Sequence, residues 1–199
     1  MPDTKADLPI LAFPSAAKWE AWLAKQPPTS KGLWLKIAKK SSGIPSVSRS
    51  EAVEGALCHG WIDGQLETFD ADCWLIRFTP RKPRSKWSEN NRSKALALIA
   101  EGRMCPAGLA EVERAKADGR WDVAYAPQSR ATVPDDLQRA LDGAPKAQHL
   151  FDKLDGTNRY AVLYRIHNAK KPETRARRIE TFVAMLARGE TIYPPKGKP

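Results

Sequence analysis

The chain has 199 residues, 42% apolar and 28% charged, with 33 Lys+Arg against 23 Asp+Glu for a formal charge of +10. This composition excludes a disordered or collagen-like chain, and no apolar run approaches the ~18–20 residues of a membrane-spanning helix. Three scattered cysteines, Cys58, Cys73 and Cys105, make no disulfide framework, and no sustained heptad pattern marks a coiled coil.

The odd cysteine count predicts reduced thiols. The stretch Met1–Asp7 has neither a basic n-region nor an apolar h-region, so no secretory signal and a cytoplasmic location are expected. The elements follow in order. Ser15 can cap a helix carrying Trp19, Trp22 and Leu23 at i, i+3, i+4. Pro27-Pro28 ends it. Leu33–Ala38 alternates as a strand does. Ser48-Arg49-Ser50-Glu51 is a capping box opening a helix through Val53, Ala56 and Leu57, with Gly60 as its stop. Gln65–Phe69 and Cys73–Thr79 flank Asp70-Ala71-Asp72 and predict a β-hairpin. Ser88-Glu89 starts a helix to Ala100 with Leu96 and Ile99 inward and Gly102 beyond its end. Pro106 suits the first turn of another, carrying Leu109 and Val112 as far as Asp118-Gly119.

After a Pro- and Ser-containing stretch the pattern is helical. Pro134–Leu141, a segment with Leu150, Phe151 and Leu154, a segment with Tyr160, Leu163 and Ile166, and Glu173–Ala187 predict three or four packed helices. The fold class is α+β: a small antiparallel β-sheet with packed helices, then a small all-helical C-terminal domain. The expected organisation is a first domain over 1–126, a linker over 127–133, a helical domain over 134–192 and a frayed tail over 193–199. All seven tryptophans lie at or before Trp121.

Charge is concentrated. Residues 77–103 hold eight basic and two acidic residues, and residues 165–199 hold nine basic and three acidic. Blocks of this kind are the form an anion-binding surface takes. The first overlaps the densest constellation, Cys58-His59-Gly60-Trp61-Ile62-Asp63-Gly64 followed after the hairpin by Arg77–Asn91. The first stretch reads as a helix end feeding a Gly-flanked turn, the second as a Pro-stiffened basic loop running into a helix N-terminus. Arg81 and Arg84 can hold phosphate or carboxylate bidentately, the helix after Ser88 offers free N–H groups, and Trp87 offers a flat face. The candidate ligand residues are Trp61, Asp63, Arg81, Arg84, Ser85, Trp87, Ser88 and Asn91. The same residues also have a purely structural reading: a solvated loop, an N-cap at Ser88, and Trp61 and Trp87 as core anchors.

His59 and Asp63 could form a general-base pair. A Cys58–His59 nucleophile is disfavoured, because neighbours on a helix point in different directions. No metal-ligand spacing and no common nucleotide or hydrolase signature occurs, so no metal and no cofactor are expected. Arg175, Arg177 and Arg178 share one turn of the last helix and suit an acidic partner, nucleic acid or a solvated face.

With Ala56–Gly64, Phe78–Ser88 and Gly102-Arg103-Met104, the sequence resembles the bacterial YdeI/OmpD-associated (bacteriocin-protection, OmdA) family. The resemblance takes in nearly the whole chain, including Phe13–Trp22 and Gly32-Leu33-Trp34. The helices around Ala169–Ile179 look like the small OmdA-type module. It implies an association with an outer-membrane porin and with protection from bacteriocins and cationic antimicrobial peptides, and it supplies no reaction and no catalytic residues. The expected function is a binding protein with an anion-recognising cleft between Gly60–Gly64 and Arg81–Asn91, taking a small anion or a protein partner. Nucleic-acid binding by the two basic blocks and an enzyme using His59 and Asp63 are the alternatives.

Overall fold

The computed structural model describes residues 3–194, and the chain divides into two compact units between Ala124 and Tyr125. The fold class is α+β. The first unit holds strands β1 (Thr4–Lys5), β2 (Leu8–Ala12), β3 (Leu33–Ala38), β4 (Trp61–Thr68) and β5 (Cys73–Pro80). Its helices are α1 (Ala16–Leu23), α2 (Arg49–Cys58), α3 (Glu89–Ala100) and α4 (Pro106–Ala117).

The five strands form one sheet in the order β1-β2-β3-β5-β4. It is mixed rather than antiparallel throughout, because β2 runs parallel to β3 across the helical crossover α1. Pro9 hides β2 from strand patterning, since proline removes a ladder donor and is tolerated only towards a sheet edge. Only the two-residue β1 lies beyond β2. The hairpin forms as predicted, but β4 starts at Trp61, so Gly60–Gly64 is not a turn. Gly60 does adopt φ +75°, and Gly64 instead sits where the β4–β5 register slips by one residue between Asp63 and Leu66, a β-bulge.

The core of this unit is aromatic. Ser15 caps α1, as its sequence predicts, and Trp19 is fully buried, with its indole Nε1 donating to Ala52 O at 3.0 Å. Trp22 stacks on Trp19 at 5.5 Å, and Phe13, Phe78 and Trp61 close round the pair at centroid distances of 5.3–5.8 Å. Gly55 lets α2 approach, since a Cβ there would stand 3.1 Å from Trp19 Cδ1. The capping box at Ser48 and Glu51 is present. On α3 the inward residues are Ala95 and Leu98, while Leu96 is 50% exposed; on α4 Val112 is buried and Leu109 is 38% exposed. Both large side chains look inward by period alone. Gly108 takes the inner place on α4, where a Cβ would stand 2.4 Å from Cys58 O, so only a bare backbone fits between the helices.

The second unit is helical: α5 (Asp135–Asp142), α6 (Pro145–Lys153), α7 (Gly156–His167) and α8 (Pro172–Ala187). Leu137, Leu141, Phe151, Val162, Ile166 and Leu186 centre its core. Arg175 on α8 grips Asp136 on α5 through Nε at 2.6 Å and Nη2 at 2.8 Å, a bidentate pair that holds the Asp136 carboxyl below its usual range. Of the predicted tail, residues 195–199 lie outside the described residues.

Gly32, just before β3, has φ +100°, and a Cβ there would stand 2.3 Å from Phe78 O. Neither the backbone angle nor that carbonyl can yield cheaply. Gly32→Ala is expected to lower stability by at least about 2 kcal/mol, read as a drop in the denaturant midpoint with an unchanged m-value.

Candidate functional site

The fold brings the start of β3, the start of β4 and the end of β5 to one end of the sheet, as the pairings Leu33–Phe78 and Trp61–Pro80 require. A cleft of about 960 Å³ opens there. The loop after α1 contributes Lys31, β5 contributes Arg77 and Thr79, β4 contributes Asp63, and the chain beyond β5 contributes Arg81 and Lys82. The turn Ala6-Asp7 lines its rim with φ +49° and +61°, the left-handed pair that a two-residue hairpin between β1 and β2 demands. Lys31, Arg77 and Lys82 thus line the cleft beside two carboxylate residues, Asp7 and Asp63, while Arg81 borders it with its guanidinium buried against Trp87.

Of the residues expected to bind ligand, only Asp63 and Arg81 line this cleft. Arg81 is only 6% exposed, its guanidinium lies 3.6 Å from the Trp87 ring centroid, and its Nη1 donates to Lys86 O at 3.1 Å. Its backbone N–H donates to Gly60 O, tying the end of β5 to the end of α2. Ser85 closes a turn, its Oγ accepting from Lys82 N and its N–H donating to Lys82 O. Trp87 is buried against Trp121 at 4.8 Å. Ser88 caps α3 by accepting from Asn91 N, and Asn91 Nδ2 reaches Asp63 Oδ1 at 3.4 Å. Trp61 belongs to the aromatic core, and Arg84 is exposed.

Two residues that sequence reasoning missed hold the loop from behind. Arg120 donates to Ser85 O through Nη1 at 2.6 Å and to Asp118 through Nε, while Trp121 packs on Trp87. Their signal was thin: a cation and a tryptophan just after a helix stop at Asp118-Gly119. The basic block 77–103 also divides. Arg92 donates to Trp121 O, Lys94 pairs with Glu54, and Arg103 lies near Glu20, Glu54 and Glu101. Arg77, Lys82 and Arg84 are exposed. In the second block, Arg175 is paired with Asp136 and Arg178 Nη1 donates to Arg165 O, so two of the three clustered arginines serve the helix packing.

His59 and Asp63 share no hydrogen bond among the described residues. His59 Nε2 instead lies 3.9 Å from Cys105 Sγ, a pairing 46 positions apart that no local motif announces. Burial holds the His59 imidazole below its ordinary value. Burial also pushes the Cys58 thiol up to about 11, which leaves it protonated and unreactive at neutral pH. Among the described residues no cluster of three or more His, Cys, Asp or Glu side chains could hold a metal ion.

Because the folded His59 resists protonation more than the unfolded chain does, its contribution to stability is present above the unfolded pKa and is lost as pH falls through the folded one. The melting temperature is expected to decline below about pH 6.5, and His59→Gln should flatten that decline; an unchanged slope would remove the residue from the account. Thiol labelling of the native protein at pH 8 should modify half-buried Cys105 first and leave buried Cys58 and Cys73 intact until unfolding.

Two family models match the chain. Residues 130–189 match OmdA, described as Bacteriocin-protection, YdeI or OmpD-Associated, which lies within the helical unit. Residues 11–111, which include both Gly60–Gly64 and Phe78–Ser88, match a separate model whose description is a domain of unknown function. No curated protein and no solved structure matches the chain. The first unit's match spans just over half of the sequence, so the chain belongs to the family described as Domain of unknown function (DUF8412), with an OmdA domain in its helical C-terminal unit.

Proposed function

We propose that this is a binding protein whose first unit takes a small anionic ligand, one carrying a phosphate or carboxylate, in the cleft at the end of the sheet. One observation carries the reading: Lys31, Arg77 and Lys82 line a single opening of ligand size that holds two acids, Asp7 and Asp63, among the described residues. Exposed Arg77 and Lys82 supply adaptable charge at the mouth, and the buried Arg81 guanidinium on Trp87 anchors the loop that carries Lys82. Thr79 adds a hydroxyl beside them. The OmdA match supports setting this binding in bacteriocin protection or a related stress response, and three free cysteines suit a reducing, cytoplasmic compartment.

A second reading rests on the exposed row Arg77, Lys82 and Arg84, which could instead follow a nucleic-acid backbone. The two readings differ in salt dependence, because each phosphate neutralised on a strand releases counterions.

Arg81 is unsuited to a charge-reversal test, since reversing it would unstack Trp87 and bury an uncompensated carboxylate. The test is calorimetric titration of the full chain with inorganic pyrophosphate, beside anisotropy of labelled single-stranded DNA at two salt concentrations. Saturable pyrophosphate binding, weakened at least about tenfold in an Arg77→Glu/Lys82→Glu double variant with an unchanged melting temperature, is expected. Absent binding, or binding indifferent to the double variant, would overturn the proposal. Steeply salt-dependent DNA binding, lost in the same variant, would replace it with the nucleic-acid reading.

A further inference from the structure

All four tyrosines of the chain, Tyr125, Tyr160, Tyr164 and Tyr193, line one cavity of about 450 Å³ in the helical unit. Tyr164 meets Tyr125 edge-on at 5.1 Å and Tyr160 at 5.8 Å, so three rings form a continuous aromatic wall. Tyr193 closes the far side with Arg165, whose guanidinium lies 5.7 Å from the Tyr193 ring and whose Nη2 is 3.5 Å from its hydroxyl. Gln128 contributes an amide, brought close by Gly156, where a Cβ would stand 2.3 Å from Gln128 Nε2.

This wall is held in place by a buried polar group. Asn158 on α7 is only 2% exposed, and its side chain meets the backbone of Tyr193 at both ends. Its Oδ1 accepts from Tyr193 N at 2.9 Å, and its Nδ2 donates to Tyr193 O at 3.2 Å. Burying an amide is unfavourable unless it is paired, and here both halves are paired to the single segment that closes the cavity. Tyr160 is fixed likewise, its hydroxyl donating to Ala126 O at 2.8 Å. Tyr125, Gln128 and Tyr193 lie outside the residues 130–189 that match OmdA, so much of the cavity wall is contributed by segments flanking that match.

Aromatic faces alone would suit a cation. Arg165 already places one there, and among the described residues no carboxylate lines the cavity, so a cationic guest would meet repulsion without compensation. Arg165 donates to Ala161 O through Nη1 and approaches Tyr193 Oη through Nη2, and a guanidinium has five donors. The complementary guest has a flat ring to lie against tyrosine and an anionic group to meet Arg165. We infer that this cavity is a second binding site, for a small aromatic ligand bearing an anionic substituent. Mononucleotides and aromatic carboxylates share that chemistry.

The test is titration of the full chain with AMP and with 4-hydroxybenzoate, followed by calorimetry, with inorganic phosphate and benzyltrimethylammonium as controls. At least one of the ring anions should saturate at one site per chain, with affinity reduced at least about tenfold in Tyr193→Ala and in Arg165→Gln. Tyr193 is exposed enough that its removal leaves the helical core intact, which an unchanged melting temperature will verify. AMP alone binding identifies the nucleotide, and 4-hydroxybenzoate alone the aryl acid. The Arg77→Glu/Lys82→Glu variant should leave this site unaffected, which separates its failure from failure of the cleft in the first unit. Preference for benzyltrimethylammonium, binding of phosphate as tight as that of AMP, no saturable ring binding, or indifference to both variants would each overturn the inference.

Discussion

A buried cation governs the first unit. Moving the Arg81 guanidinium out of water is costly, and the fold offsets that cost by placing it 3.6 Å from the Trp87 ring centroid and giving it the Lys86 carbonyl. Every neighbour of that stack is then constrained. Trp87 has no acceptor for its indole N–H among the described residues, so packing alone fixes the ring, between Arg81 and Trp121. Trp121 in turn gives its carbonyl to Arg92, and its neighbour Arg120 gives a donor to Ser85. The loop from Arg81 to Ser88 is therefore a held rim rather than a free basic arm, and the positions of its side chains are set by the fold itself.

The same constraint explains what the sequence could and could not disclose. Local signals were legible: the Ser15 and Ser88 caps, the Ser48 capping box, the hairpin about Asp70-Ala71-Asp72 and the helical order of the second unit are all in the fold. Each depends on residues within a few positions of one another. The strand at Leu8–Ala12 was hidden because its partner β3 lies over twenty residues downstream and its own run contains Pro9. Leu96 and Leu109 misled because the helix faces that pack are set by the small residues Ala95 and Gly108, which permit close approach but carry little hydrophobic signal.

Of the run from Phe78 to Ser88, residues 79–83 line the cleft and the remainder packs or faces solvent. Charge density in a sequence does not distinguish a guanidinium that faces solvent from one stacked on an indole. Arg81 and Arg84 read alike as letters; one is buried and the other exposed. Lys31 and Arg77 joined the cleft through strand pairing, which no short motif encodes. The His59–Cys105 approach is hidden from local sequence for the same reason, being a meeting of a helix end and a distant helix start.

The second unit solves a different problem with the same means. Three of its arginines are anchored to carbonyls of α7 and to one acid: Arg175 to Asp136 and to Ile166 O, Arg178 to Arg165 O, and Arg165 to Ala161 O. Arginine fits these positions because its planar fork reaches a carbonyl and a second group at once, where lysine would offer a single point charge. Those three cations serve packing, whereas Lys170, Lys171 and Arg177 are exposed. Its distinctive feature is the set of tyrosines gathered beside Arg165 and closed by the segment that Asn158 holds. A buried asparagine paired to one backbone segment contributes little to a hydrophobic core that Leu137, Phe151, Ile166 and Leu186 already provide. Its effect is to fix Tyr193 in one position, so the geometry it preserves is that of the cavity wall.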